Sequence, residues 1–192
     1  YSCPLVLNSV DLALTPNPSL VVTQDNCASP ISLVAVGSSA AGNFRYAIVP
    51  TGNPAPTSYE DNGGIFMNVS PATYDVYVTD GNGCTNSEIG FVVNPVLSAS
   101  ASLTKLLDCT ASPEAEISIE ILDGSGTYEY SITNDTGSVP PVNQIAVPSN
   151  SFVYQAPDAG NYTITIYDSN TPDSSTCNRE FIVNVPDRIE PI

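Results

Sequence analysis

The chain of 192 residues has no histidine, no tryptophan, one methionine, and four basic residues against 20 acidic ones. Each shortage removes a class of function. Without histidine, Ser-His-Asp and Cys-His nucleophile systems are excluded. Zinc sites want closely spaced cysteine pairs, whereas the nearest cysteines here, Cys3 and Cys27, lie 24 residues apart. The basic residues are Lys105, Arg45, Arg179 and Arg188, and the net charge is −16. Phosphate backbones require clustered Lys and Arg, so the sequence predicts no nucleic-acid partner, and an anionic membrane surface is disfavoured for the same reason. Apolar runs stay short of the ~18 residues of a membrane span, which predicts no membrane insertion. No charged-then-apolar signal stretch opens the chain. The expectation is a mature or excised piece of something longer.

What is present is strand chemistry. Val, Ile, Tyr and Thr fill short alternating segments, punctuated by 17 prolines and 12 glycines. The acids are scattered along these segments and their turns, as solvating charge on a long surface protein would be. Five cysteines in such a chain suggest an oxidising compartment.

Two halves of the sequence overlay. Gly42-Asn43-Phe44-Arg45-Tyr46-Ala47-Ile48 answers to Gly126-Thr127-Tyr128-Glu129-Tyr130-Ser131-Ile132. Tyr74-Asp75-Val76-Tyr77-Val78-Thr79-Asp80 answers to Tyr162-Thr163-Ile164-Thr165-Ile166-Tyr167-Asp168, and Phe91-Val92-Val93-Asn94 to Phe181-Ile182-Val183-Asn184. The cysteines keep step, Cys27 with Cys109 and Cys84 with Cys177. Matches kept in one order mark an internal repeat. Cys3 stands to Cys27 much as Cys84 stands to Cys109, so residues 1–17 read as the last strand of a preceding repeat, or an extra strand of the first domain. Residues 18–95 and 96–188 are then the two repeats, joined near Pro95-Val96, and 189–192 a tail or linker.

Within the first repeat the pattern predicts strands near 19–23, 31–36, 44–49, 65–69, 74–80 and 88–94. In the second they fall near 97–107, 116–122, 128–134, 151–155, 161–168 and 179–185. Short strands, frequent turn signals and about 90 residues per unit predict an all-β fold, two tandem immunoglobulin-like β-sandwiches. Tyr74 and Tyr162 sit where such folds place a corner tyrosine.

Ala72-Thr73-Tyr74-Asp75-Val76-Tyr77-Val78-Thr79-Asp80-Gly81-Asn82-Gly83-Cys84, with the Gly-aromatic-x-Tyr strand before it, resembles the SprB-type repeats of gliding-motility adhesins and related surface proteins of Bacteroidetes. The second repeat departs from that pattern by an insertion between Asp168 and Cys177, and the first half lacks the glycine-rich segment usual after the first cysteine. The resemblance covers essentially the whole chain. It implies export by the type IX route, cell-surface attachment, a role in adhesion or gliding, and neighbouring repeats as partners.

Candidate sites follow from residue type. Asp80, Asn82, Asp168, Asn170 and Asp173 cluster in the turns after the Tyr strands, where oxygens suit calcium; Asp-Gly and Asn-Gly pairs also simply make tight turns. Tyr59, Phe66, Tyr77, Tyr154 and Tyr167 are candidate aromatics for a surface glycan, Tyr77 and Tyr167 above all. Two disulfide schemes stand. One bridges within repeats, Cys27–Cys84 and Cys109–Cys177. The other bridges Cys27–Cys177 between repeats, with Cys3, Cys84 and Cys109 paired outside the chain. In a sandwich the turn before the second strand and the turn after the Tyr strand lie at opposite ends, ~20 Å apart, against a limit of ~7 Å between bridged Cα atoms. No catalytic set emerges, so the expected class is a stalk repeat of an adhesin or filament. A glycan-binding adhesin module and an accessory domain of a secreted hydrolase are the alternatives.

Overall fold

The computed structural model describes residues 16–25, 29–110, 112–169 and 177–188. The chain divides into two compact units, Tyr1–Asn94 and Pro95–Ile192. The described residues are all-β with no helix, and so none that could cross a membrane. Most of the expected first segment, 1–17, and the tail 189–192 lie outside the described residues.

The first unit holds β1 (Ser19–Asp25), β2 (Ser32–Ser38), β3 (Arg45–Pro50), β4 (Ile65–Met67), β5 (Ala72–Thr79) and β6 (Thr85–Val93). They form two antiparallel sheets, β1-β2-β4 and β3-β5-β6. Alternation decides which side chains turn inward. Ala35 of one sheet meets Tyr46, Val76 and Val78 of the other, with Leu20, Val22, Phe44, Ile48 and Phe66 packed around them. Gly64 is needed where its chain crosses β2: its φ is +78°, and a Cβ there would lie 1.9 Å from the Ala35 carbonyl oxygen.

The second unit holds β7 (Ser98–Lys105), β8 (Ala115–Asp123), β9 (Tyr128–Asn134), β10 (Val142–Ala146), β11 (Ser151–Ala156), β12 (Gly160–Asp168) and β13 (Asn178–Val185). Its sheets are β11-β8-β7 and β10-β9-β12-β13. Apart from β10 the wiring is that of the first unit, and it is the strand order of an immunoglobulin-like sandwich. The core is larger, with Ile117, Ile119, Ile132, Ile164, Ile166 and Tyr162 fully buried between the sheets. In the first unit the place of β10 is taken by a single bridge, Tyr46 to Glu60.

Both corner tyrosines form. The Tyr74 hydroxyl donates to the Ser70 carbonyl at 3.1 Å, and the Tyr162 hydroxyl to the Asp158 carbonyl at 2.8 Å. Burial raises the Tyr162 pKa above the ordinary phenol value, so the hydroxyl stays a donor.

One of the three matched stretches is displaced. Tyr74 pairs with Phe91, whereas its counterpart Tyr162 pairs with Val183, and Phe181 sits opposite Ile164. Val93 and Val185 are therefore the structural equivalents: each is buried, and they face the equivalent residues Ala72 and Gly160. β6 also carries a bulge, where the register shifts by one residue between Tyr74 and Val76. Gly90 absorbs it at φ +77°, its amide donating to the Asp75 carboxylate at 2.9 Å.

Candidate functional site

The turn after the Tyr strand carries the same construction in both units. In the first unit Asp80, the residue after β5, is buried. Its carboxylate accepts from the Ser39 hydroxyl at 2.9 Å and from the Asn82 and Cys84 amides at 3.0 Å each. The Asp80 amide donates to the Cys84 carbonyl at 3.0 Å, closing the turn. In the second unit Asp168 is 0% exposed, accepts from the Ser125 amide at 2.9 Å, and takes a short bond from the Ser125 hydroxyl. The Asp168 amide donates to Cys177 at 2.9 Å. Each aspartate thus ties its turn to the loop that follows the unit's second strand. Ser39 and Ser125 were not among the candidates from sequence, because they stand one and two residues beyond β2 and β8 and align with no shared motif.

Of the calcium candidates, Asp80 and Asn82 are brought together, but through the Asn82 backbone amide. Asp168 lies in the other unit, and Asn170 and Asp173 lie outside the described residues. Among the described residues no group of three or more acids or cysteines is arranged to hold a metal. The carboxylates of Asp80 and Asp168 are occupied as acceptors for the chain's own donors.

Beside Asp80 a shallow open groove of about 470 Å³ is lined by Asn43, Arg45, Thr79, Gly81 and Gly83. The aromatic candidates divide. Phe66 turns into the core of its unit, and Tyr154 packs against Tyr162 with the rings tilted and their centroids 5.9 Å apart. Tyr77 is half-buried on the outer side of β5, close enough to Tyr59 that the pKa of Tyr59 is raised, first by burial and then by Tyr77. Tyr167 is half-buried, 3.2 Å from the Ser131 hydroxyl. Lys105 pairs with Asp108 at 3.0 Å on the surface. That hydrogen bond raises the lysine pKa, the wrong direction for a general base. Asp108 is held down to about 2, chiefly by the Thr110 hydroxyl and then by Lys105.

Cys109 carries a free, exposed thiol, so the within-repeat bridge Cys109–Cys177 is absent. Cys109 precedes β8 and Cys177 follows β12, and a strand length separates those turns, as the geometric argument from sequence requires. Cys84 and Cys177 are buried and disulfide-bonded, so Cys84 has its partner within the chain and not, as the between-repeat scheme has it, outside. Cys3 and Cys27 lie outside the described residues, and with them the bridges Cys27–Cys84 and Cys27–Cys177.

The flanking ends are described. In the first unit Gln24 and Asn94 exchange two bonds, at 2.6 and 2.9 Å, which puts the end of β1 beside the chain exit. Cys84 is at the other end, where Gly81 bonds Gly42 and Ser39 bonds Asp80. In the second unit Ser98 pairs with Asp123, which puts the chain entry at the end that holds Asp168 and Cys177.

No protein-family model matches the chain. No curated protein matches it either. Among solved structures it is similar to the three N-terminal domains of the Highly Immunogenic Outer Capsid protein (Hoc) of bacteriophage RB49, at a TM-score of 0.34 and 11% identity. That match covers 88% of this chain and 58% of the other, so the chain spans little more than half the length of that protein's described domains.

Proposed function

We propose that the chain is a non-catalytic, structural and adhesive repeat segment of a large bacterial cell-surface adhesin or filament, serving as stalk in adhesion or gliding. The observation that carries this reading is duplication at the level of side chains. Two units in series share one wiring, one corner tyrosine and one serine–aspartate turn. Serial sandwiches supply reach, and each unit is stabilised by its own core, so a long array is stable copy by copy. The SprB-like motif supports export to the cell surface by the type IX route. On this account calcium is dispensable, since the acids it would need are used by the fold. The glycan-binding alternative rests on Tyr77, half-buried on the outer side of β5, with Tyr59 of the loop between β3 and β4 near enough to feel it. The test is labelling of intact cells of the source bacterium with antibody raised against this chain. Surface label that protease removes without lysis is the expected result; label appearing only after permeabilisation would overturn the proposal.

The cysteines extend the reading. Cys27 follows β1 by two residues in sequence, and β1 ends beside the chain exit of the first unit, while Cys177 lies at the entry end of the second; a Cys27–Cys177 bridge would staple consecutive repeats. Load along the stalk would then be carried partly by covalent bonds. Non-reducing peptide mapping should recover a Cys27–Cys177 peptide and leave Cys109 open to alkylation. A Cys27–Cys84 peptide would refute the staple.

A further inference from the structure

The outer face of the β1-β2-β4 sheet is apolar where the matching face of the sister unit is not. Register places Val21 beside Val36, and Thr23, Val34 and Ile65 in one row, with Met67 next to Ser32. Val21 is 59% exposed, Val36 57%, Ile65 50% and Met67 60%. Between Ser19 and Thr23 of β1 the face carries no charge. In the second unit the corresponding rows read Ser102-Ser118-Val153 and Ser100-Glu120-Ser151, with Glu116 opposite Gln155. The fold therefore does not require so apolar a face: in the second unit Val153 and Leu122 are its exposed large hydrophobics, set among serines and glutamates.

We propose that this face is a self-association surface, packing against the same face of a second copy of the chain. Charge selects the occupant. With a net charge of −16, two copies repel one another across most of their surfaces. Four cations are too few to form a basic counter-surface for a face-to-elsewhere contact. Face against face, related by a twofold axis, is the approach that buries Val21, Val36, Ile65 and Met67 together, with Asp25 at a corner of the patch in the row of Ser32 and Met67. No ring stands on this face, since Phe66 turns inward, so a sugar would find nothing to stack on.

Area sets the strength. Three strands at ~4.8 Å spacing make a patch of a few hundred Å², short of the ~800 Å² per partner of a stable pair. The contact is weak for one chain and becomes effective when many copies are arrayed side by side.

Sedimentation equilibrium of the oxidised chain carrying Cys109→Ser tests this, because that change removes dimers made by the free thiol. At about 0.5 M salt, where charge repulsion is screened to within ~4 Å, the apparent mass should climb with concentration from 20.1 kDa toward twice that value. Low salt should weaken the effect. Val36→Glu and Ile65→Glu, both surface changes, should each reduce association at least tenfold while leaving the circular dichroism spectrum unchanged. Leu122→Glu, on an exposed position of the second unit, should leave association as it was. A monomer at every concentration in high salt would overturn the proposal. So would association that survives Val36→Glu and Ile65→Glu.

Discussion

Ile164→Ala should lower the upper of two calorimetric transitions by roughly 8–40 °C and leave the lower one in place. Ile164 is fully buried in mid-β12, paired with Ile132 on one side and Phe181 on the other. Truncating such a side chain removes apolar contact and leaves a cavity that a sheet-on-sheet core closes poorly, at a cost of about 2–5 kcal/mol. For a unit of this size each kcal/mol moves the midpoint by roughly 4–8 °C. The effect stays in one transition because Ile164 belongs to a core contained in the second unit. The first unit should be the one that melts lower. Its contiguous core cluster is small, its β4 is three residues long, and its third-strand edge is held by one bridge instead of a strand. Val76→Ala, at the matching position of β5, should therefore depress only the lower transition. One transition that falls with either substitution would mean a single shared core and would defeat the two-unit reading.

Much of this architecture could be read from the residues, and the places where it could not are instructive. The Tyr74 and Tyr162 strands announce themselves because each buries every second side chain against a core, which imposes strict alternation. β10 left no such trace. Val142-Asn143-Gln144-Ile145-Ala146 is an edge strand with all but its first residue exposed, lying between Pro141 and Pro148. It exists because β9 offers it a hydrogen-bonding edge, a tertiary cause that no local pattern records. The Phe91–Phe181 match failed in register for a related reason. Phe91 stands two residues before the buried Val93 and Phe181 four before Val185, so both fit the same face of their strands and composition cannot tell the two positions apart.

The aspartates were legible as chemistry and illegible as structure. Asp80 and Asp168 follow their strands at one position and are followed by turn formers, a pattern that fits an ion site as well as a turn. What separates the two is the partner serine, and Ser39 and Ser125 are more than 40 residues upstream of their aspartates. The sheets bring them together, and a short loop of slightly different length positions each hydroxyl.

Asp168→Ala is accordingly the second large effect, expected to destabilise the second unit by about 3–6 kcal/mol, since two bonds to a charged acceptor are lost at about 1.5–3 kcal/mol each. The substitution strands the Ser125 amide and hydroxyl and opens a space beside Gly124, where a Cβ would lie 3.0 Å from the carboxylate. Ser125→Ala should cost less, because the Ser125 amide keeps its acceptor. Combining the two changes should give less than the sum, as expected for residues that share one interaction. Asp80→Ala should do the same to the lower transition, by freeing the Ser39 hydroxyl and the amides of Asn82 and Cys84. All of these shifts should be the same in EDTA and in millimolar calcium. If the wild-type midpoint instead falls in EDTA to that of Asp168→Ala, the carboxylate works through an ion and the serine–aspartate turn is only its scaffold. The comparison is decisive because an ion ligand and a backbone acceptor respond alike to alanine and differently to the chelator.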